Sequence, residues 1–220
     1  MYIVFICGVG VNMKIVIVSG SGRPNSNSVQ LATKIREHLV RLDIECDLVD
    51  LSEMTRLLHH YEAHDDELLN KQKALLLEKL YSSDGIVIVA PEWGGMLPPV
   101  LHNFLLLSAY GSASGFPLGH KPALAIGIST SGGGHNPVSL LKGYSAKNSH
   151  LVWLPFHVII NNVDEFIVSF AEKDNALCSR QKSIFSRLEV GLHALVIYAK
   201  QLAPIRHELT QLSIKHPFGQ

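Results

Sequence analysis

Ile86–Ala90 and Ala123–Ile128 are short, continuous apolar runs with proline or turn-forming residues beside them. A strand that is apolar on both faces must be covered on both faces, the condition of a central strand in a parallel sheet. Ile15–Val18 is a third such run. Glu45–Leu51 alternates apolar and polar residues, which suits an edge strand, and His150–Leu154, continued through Ile160, makes a fifth. Parallel neighbours need crossover connections, and the intervening segments read as helices.

In the first of these segments Leu31, Ile35, Leu39 and Leu42 recur on one helical face, with Lys34, Arg36, Glu37 and Arg41 elsewhere. Further helices are expected over about 68–82, 98–109 and 136–147. Ile184, Leu188, Leu192, Leu195, Ala199 and Leu202 hold the same period until Pro204 ends it. Right-handed crossovers turn this order into a doubly wound α/β sheet with ligands at the carboxyl ends of its strands. The chain of 220 residues suits one such domain, expected over 13–204, with 205–220 as a carboxyl-terminal tail.

Three loops follow the carboxyl ends of strands one, three and four, and all three are unusual in composition. The first is Ser19-Gly20-Ser21-Gly22-Arg23-Pro24-Asn25-Ser26-Asn27-Ser28. It follows a buried strand and opens a helix, where free backbone N–H groups and the helix dipole favour an anion. Ser21, Ser26 and Ser28 add hydroxyl donors, and Arg23 adds a charged fork matched to phosphate oxygens. No lysine completes a P-loop, and after Gly20 and Gly22 the third position of a dinucleotide loop is Asn25. Many hydroxyls suit a terminal monophosphate; an ordinary helix cap, which needs one such residue, is the competing account. The second loop is Pro91-Glu92-Trp93-Gly94-Gly95-Met96-Leu97-Pro98-Pro99. Its paired glycines permit close approach to a flat ligand and its tryptophan offers an aromatic surface, against a plain strand-to-helix turn with a packed indole. The third is Ser129-Thr130-Ser131-Gly132-Gly133-Gly134-His135, a backbone-contact loop or a flexible turn. Ser131 is not in a GxSxG frame, so a hydrolase nucleophile is not indicated.

The segments GSGRPNSNS, PEWGGMLPPVLHN and STSGGG, in this order and spacing, resemble the NAD(P)H-dependent FMN reductases of the flavodoxin-like superfamily, with related quinone, azo-dye and chromate reductases. The resemblance covers roughly residues 13–160. It implies a flavodoxin-like three-layer sandwich with strand order 2-1-3-4-5, and FMN with NADPH or NADH as electron donor. Ser21, Arg23, Ser26, Asn27 and Ser28 would bind the FMN phosphate. Pro91, Glu92, Trp93, Gly94 and Gly95 would border the isoalloxazine ring, and Thr130, Ser131, Gly132 and Gly133 would line its other edge. The chain departs from the family pattern at Trp93, usually tyrosine, at Gly94, often asparagine, and at His102, commonly lysine. The resemblance further implies a homodimer or homotetramer acting on a small-molecule acceptor: a quinone, azo compound, flavin or metal oxyanion. A flavodoxin-like electron carrier without independent reductase activity is the alternative. The flavin carries the redox chemistry, so no side chain is assigned as catalytic acid, base or nucleophile.

Composition sets limits on the rest. Lysine plus arginine equals aspartate plus glutamate at 19 each, without the basic excess of a nucleic-acid or anionic-membrane surface. Cys7, Cys46 and Cys178 are odd in number and scattered, so reduced thiols in a cytoplasm are expected and neither a disulfide framework nor a zinc site. The histidine-rich stretch His59–Glu67 has no recognised metal-ligand spacing and falls in the connection after strand two, where a solvated loop is expected; the family resemblance implies that it helps shape the site or a subunit contact. The apolar residues 1–12 are too short to span a bilayer and lack a signal-peptide cleavage pattern. They are expected to be an extension outside the domain, ahead of a native start at Met13.

Overall fold

The computed structural model describes residues 13–57, 66–109, 116–171 and 178–216. Its strands are β1 (Lys14–Ser19), β2 (Glu45–Asp50), β3 (Gly85–Pro91), β4 (Pro122–Ile128) and β5 (Val152–Ile160). All are parallel, in the order β2-β1-β3-β4-β5. Every residue of β3 and β4 is buried, as their unbroken apolar runs require, and β2 is an edge with one fully buried position, Val49.

Successive strand residues feed opposite layers. Ile15, Ile17, Val87, Val89, Leu124 and Ile126 pack with Leu31, Ile35 and Leu39 of α1 (Asn27–Val40) and with Leu188, Leu192 and Leu195 of α7 (Ser179–Leu202). Val16, Val18, Ile86, Ile88, Ala123 and Ala125 pack with α2 (Glu67–Ser82), α3 (Pro99–Ala109) and α4 (His135–Tyr144) through Leu76, Leu80, Leu101, Phe104 and Leu141. Each fully buried aliphatic side chain in these layers is worth roughly 1.5–3 kcal/mol over the exposed state. This alternation, period two in the strands against 3.6 in the helices, gives the three-layer sandwich.

Four features differ from the reading of the sequence. The helix expected over 136–147 breaks at Ser145 into α4 and the short α5 (Ala146–Ser149), where the Ser145 hydroxyl donates to the Leu141 carbonyl and accepts from Trp153 Nε1 at 3.1 Å. Strand β5 slips register between Ala123 and Ala125 of β4, and the irregularity takes up Pro155 on an edge strand, where the missing N–H is tolerated. An unforeseen helix, α6 (Val163–Ala171), follows β5 directly and carries Val163, Phe166 and Ile167 into the core. Beyond Pro204, α8 (Arg206–Ile214) folds back on the amino ends of the strands. There Arg206 meets the Asp84 carboxylate at 3.2 Å and its carbonyl at 3.1 Å, and His120 Nε2 lies 2.8 Å from Ser213 Oγ.

Residues 1–12 and most of His59–Glu67 lie outside the described residues. At the end of that stretch Asp66 caps α2 by accepting from Leu68 N and Leu69 N, and it pairs with Arg56 at 2.8 Å. Among the described residues no helix is long and apolar enough to cross a membrane.

Candidate cofactor-binding site

The strand order reverses between β1 and β3, so the loops leaving these strands diverge and open a crevice at their carboxyl ends. Gly20 makes that crevice possible. A Cβ there would lie 2.8 Å from both Leu101 Cδ2 and the Val89 carbonyl oxygen, and its own N–H donates to that carbonyl at 2.9 Å. The loop therefore lies flat on β3 and α3 before it turns into α1.

Ser21, Arg23, Ser26, Asn27, Ser28, Pro91, Glu92 and Thr130 line one open cleft, together with Ile128, Ser129 and Val163. All five residues expected at the phosphate are in it. The hydroxyls differ in what they do. Ser21 Oγ accepts from Arg23 N at 3.1 Å and shapes the loop, and Ser26, the N-cap of α1, accepts from Val29 N at 3.4 Å. Ser28 is 1% exposed, and its Oγ has no hydrogen-bond partner among the described residues. The Asn27 amide donates to Asp164 Oδ1 at 2.7 Å, which ties the start of α1 to the start of α6.

Two helices start in the cleft wall, α1 through Ser26, Asn27 and Ser28 and α6 through Val163, and the start of α4 lies behind Glu92. The first turn of α1 holds no acidic residue, so its N–H groups and positive dipole end remain available to an anion. The start of α4 is already occupied: Glu92 Oε2 accepts from Gly134 N at 2.5 Å. Gly134 is the N-cap at φ 102°, with no side-chain cap of its own, and its backbone N–H is the group that Glu92 takes. A Cβ on Gly133 would stand 2.8 Å from the same carboxylate oxygen. The start of α1 is thus open to a negative group, while the Gly134 N–H is already committed to Glu92.

Trp93, Gly94, Gly95, Ser131, Gly132 and Gly133 are not in the cleft wall. Trp93 and Met96 exchange backbone hydrogen bonds of 2.9 and 3.0 Å around Gly94 and Gly95, whose φ values are +58° and +81°. Positive φ at both central positions is the demand of a tight hairpin turn, which accounts for the glycine pair without a ligand. The Arg23 guanidinium sits over the Trp93 ring, 4.9 Å from its centroid. Ser131 and Ser129 brace the third loop: the Ser131 carbonyl accepts from Asn162 N at 3.1 Å and that of Ser129 from Val163 N at 3.0 Å. This bracing brings Val163 into the wall. Its selection from sequence would have needed α6, whose signal was the acidic first turn Asp164-Glu165 with Val163, Phe166, Ile167 and Phe170 on one face.

Further along α3, His102 stacks on Tyr144 at 5.7 Å and an interplanar angle of 3°, with the phenol oxygen 3.1 Å from Nδ1. Burial holds the His102 imidazole below its ordinary value and raises the phenol. Cys46 is far from this region on β2, and burial pushes its thiol up to about 12, an inert group.

Fold and cleft define a flavodoxin-like protein with an anion-ready helix start at its topological switch point. The chain belongs to the NADPH-dependent FMN reductase family, whose sequence model matches residues 13–164. It is therefore an oxidoreductase by class, and FMN and a reduced nicotinamide are the family's cofactors. A curated relative, the NADH:(hydroxy)cinnamate reductase subunit CrdA of Vibrio ruber, is 33% identical over 81 residues. That match spans 37% of this chain and 38% of the relative. FerB of Paracoccus denitrificans, a flavoenzyme NAD(P)H:(acceptor) oxidoreductase, aligns with TM-score 0.60 at 19% identity, over 87% of this chain and 99% of that one. The apo form of the NADH:FMN oxidoreductase EMOB aligns with TM-score 0.59 at 18% identity, over 86% and 90%. At these identities the two structures establish the fold.

The cleft fits the family's cofactor on grounds internal to this chain. A buried hydroxyl without a partner, at a helix start without acidic residues, is a donor set in want of an acceptor.

Proposed function

We propose that this protein holds FMN in the cleft and uses NADPH or NADH to reduce a small acceptor such as a quinone, an azo compound, a flavin or a metal oxyanion. The observation that carries this reading is Ser28: its buried, unpartnered hydroxyl lies in a cleft wall at the open start of α1. Ser21, Arg23, Ser26, Asn27 and Ser28 would surround the phosphate, with Arg23 supplying the charge. Pro91, Glu92, Gly94 and Gly95, with Thr130 to Gly133, would flank the ring. Glu92 keeps its carboxylate on Gly134 and so holds these two loops at a fixed separation.

Bound FMN would supply the redox chemistry, hydride acceptance and electron delivery. The chain's own contribution is binding, orientation and exclusion of water, with the protons that a quinone or azo acceptor takes up coming from the reduced flavin or solvent. By family likeness the working form is a homodimer or homotetramer in the cytoplasm, measurable as the mass of the purified protein in solution.

The test is the visible spectrum of the purified protein, followed by NADPH under exclusion of air. A flavin absorbance that bleaches with NADPH and returns with added quinone is the expected result. Protein that neither carries nor takes up FMN refutes the reading, and FMN-loaded protein that leaves NADPH unoxidised would be an electron carrier.

A further inference from the structure

Arg23 is an exposed, long side chain on a loop, and such a side chain ordinarily samples many rotamers. Ordering it at a phosphate costs entropy that must be overcome at each binding event. In this chain the guanidinium already rests on the Trp93 indole, 4.9 Å from the ring centroid, while Arg23 itself contributes to the cleft wall. The ion pairs among the described residues involve Lys14, Arg56 and Arg206, so no described carboxylate neutralises Arg23. No hydrogen bond or ion pair among the described residues takes up the Arg23 guanidinium, so its N–H groups remain for phosphate oxygens while the ring holds its charge. The indole is fixed in turn. Its backbone is locked by the paired hydrogen bonds to Met96, in a turn whose two positive φ values suit the Gly94-Gly95 pair.

We propose that Trp93 is a positioning residue for the cofactor phosphate: it acts through Arg23, holding the guanidinium ready at the cleft, and not by stacking on the flavin. The Trp93–Arg23 pair links the loop after β3 to the loop after β1. The tryptophan in place of the usual tyrosine strengthens the hold, because indole is the best aromatic partner for a cation. This inference rests on FMN occupying the cleft, and the test separates failure of the one from failure of the other.

The measurement is the affinity of apo-protein for FMN and for riboflavin, the same ring without the phosphate, by quenching of flavin fluorescence. The chains compared are wild type, Trp93→Leu, Trp93→Phe, Arg23→Ala and the Trp93→Leu/Arg23→Ala double variant. Trp93→Leu keeps bulk and removes the aromatic face. It should weaken FMN about threefold to tenfold while leaving riboflavin unchanged. Trp93→Phe should recover most of that loss, and in the Arg23→Ala background Trp93→Leu should cost nothing more. Equal weakening of FMN and riboflavin would make Trp93 a ring contact and overturn the inference. So would an undiminished Trp93→Leu penalty in the absence of Arg23, or no penalty at all. Wild-type protein that binds riboflavin and FMN equally refutes a phosphate role for Arg23, and one that binds neither refutes the function proposed above. If Trp93→Leu does not fold, Trp93→Phe compared in the wild-type and Arg23→Ala backgrounds still decides. Phenylalanine retains a weaker cation face, so an FMN loss confined to the Arg23-containing background supports the inference and a loss shared by riboflavin overturns it.

Discussion

Ser28→Ala should make the empty protein more stable and the loaded protein weaker. A buried hydroxyl without a hydrogen-bond partner costs about 1–3 kcal/mol, and Ser28 Oγ, in a residue 1% exposed, has none among the described residues. Alanine removes that cost and is also the better helix former by a few tenths of a kcal/mol; the small void left by the oxygen takes some of the gain back. The expected net gain for the apo-protein is about 1–2 kcal/mol, or roughly 2–8 °C in melting temperature for a chain of this size. With FMN the sign turns. Loss of a hydrogen bond to a charged phosphate costs about 1.5–3 kcal/mol, a tenfold or greater loss of affinity. At an FMN concentration near 100 times the wild-type Kd, wild type gains about 2.7 kcal/mol, and a variant bound tenfold less tightly gains about half of that. The assay is urea unfolding with and without FMN, followed by far-ultraviolet dichroism. A variant less stable than wild type without FMN, or one that gains as much from FMN, would show that the Ser28 hydroxyl is not waiting for an acceptor.

Gly20→Ala should destabilise the fold by about 1–3 kcal/mol, because the new methyl meets the Val89 carbonyl and Leu101 at 2.8 Å; a urea midpoint equal to wild type would contradict that contact. Burial holds His38, His102, His120 and His157 below the ordinary 6.5. The unfolded chain therefore takes up protons first as pH falls, and stability present above pH 6.5 should be lost progressively below it. His38→Gln should flatten that loss in unfolding midpoints measured from pH 7.5 to 5. Arg206→Ala removes the link to Asp84 and should release α8 with a cost of about 1–2 kcal/mol, seen as faster amide exchange in α8 with the cleft amides unaffected.

The central strands were legible because burial on both faces leaves no polar position in β3 or β4, and the loops were legible because their composition exceeds what a turn needs. All five residues expected at the phosphate line the cleft, since their place follows from a strand end and a helix start, both local. The other loops are harder, because their backbones answer to partners remote in sequence. Gly94 and Gly95 serve a turn, Gly133 makes room for Glu92 while Gly134 donates to it, and Ser131 braces Asn162. Nothing local distinguishes a glycine that admits a ligand from one that admits a carboxylate. Val163 reaches the cleft as a plain aliphatic residue, so composition could not single it out, and Ser145 breaks a helix through a bond from Trp153 that only the tertiary structure supplies.

The cover that α7 lays over one face of the sheet bears on how this molecule can be cut and recombined. Every residue of the cleft wall lies at or before Val163, and the family's sequence match closes at residue 164. α7 begins at Ser179 and puts Leu188, Leu192, Leu195 and Val196 on that layer. A module transplanted at the family boundary would carry every residue of the cleft wall, yet it would strip the α7 cover from Leu124, Ile126 and Val158. The cleft and the folding unit end at different places, and a graft of this protein must follow the second.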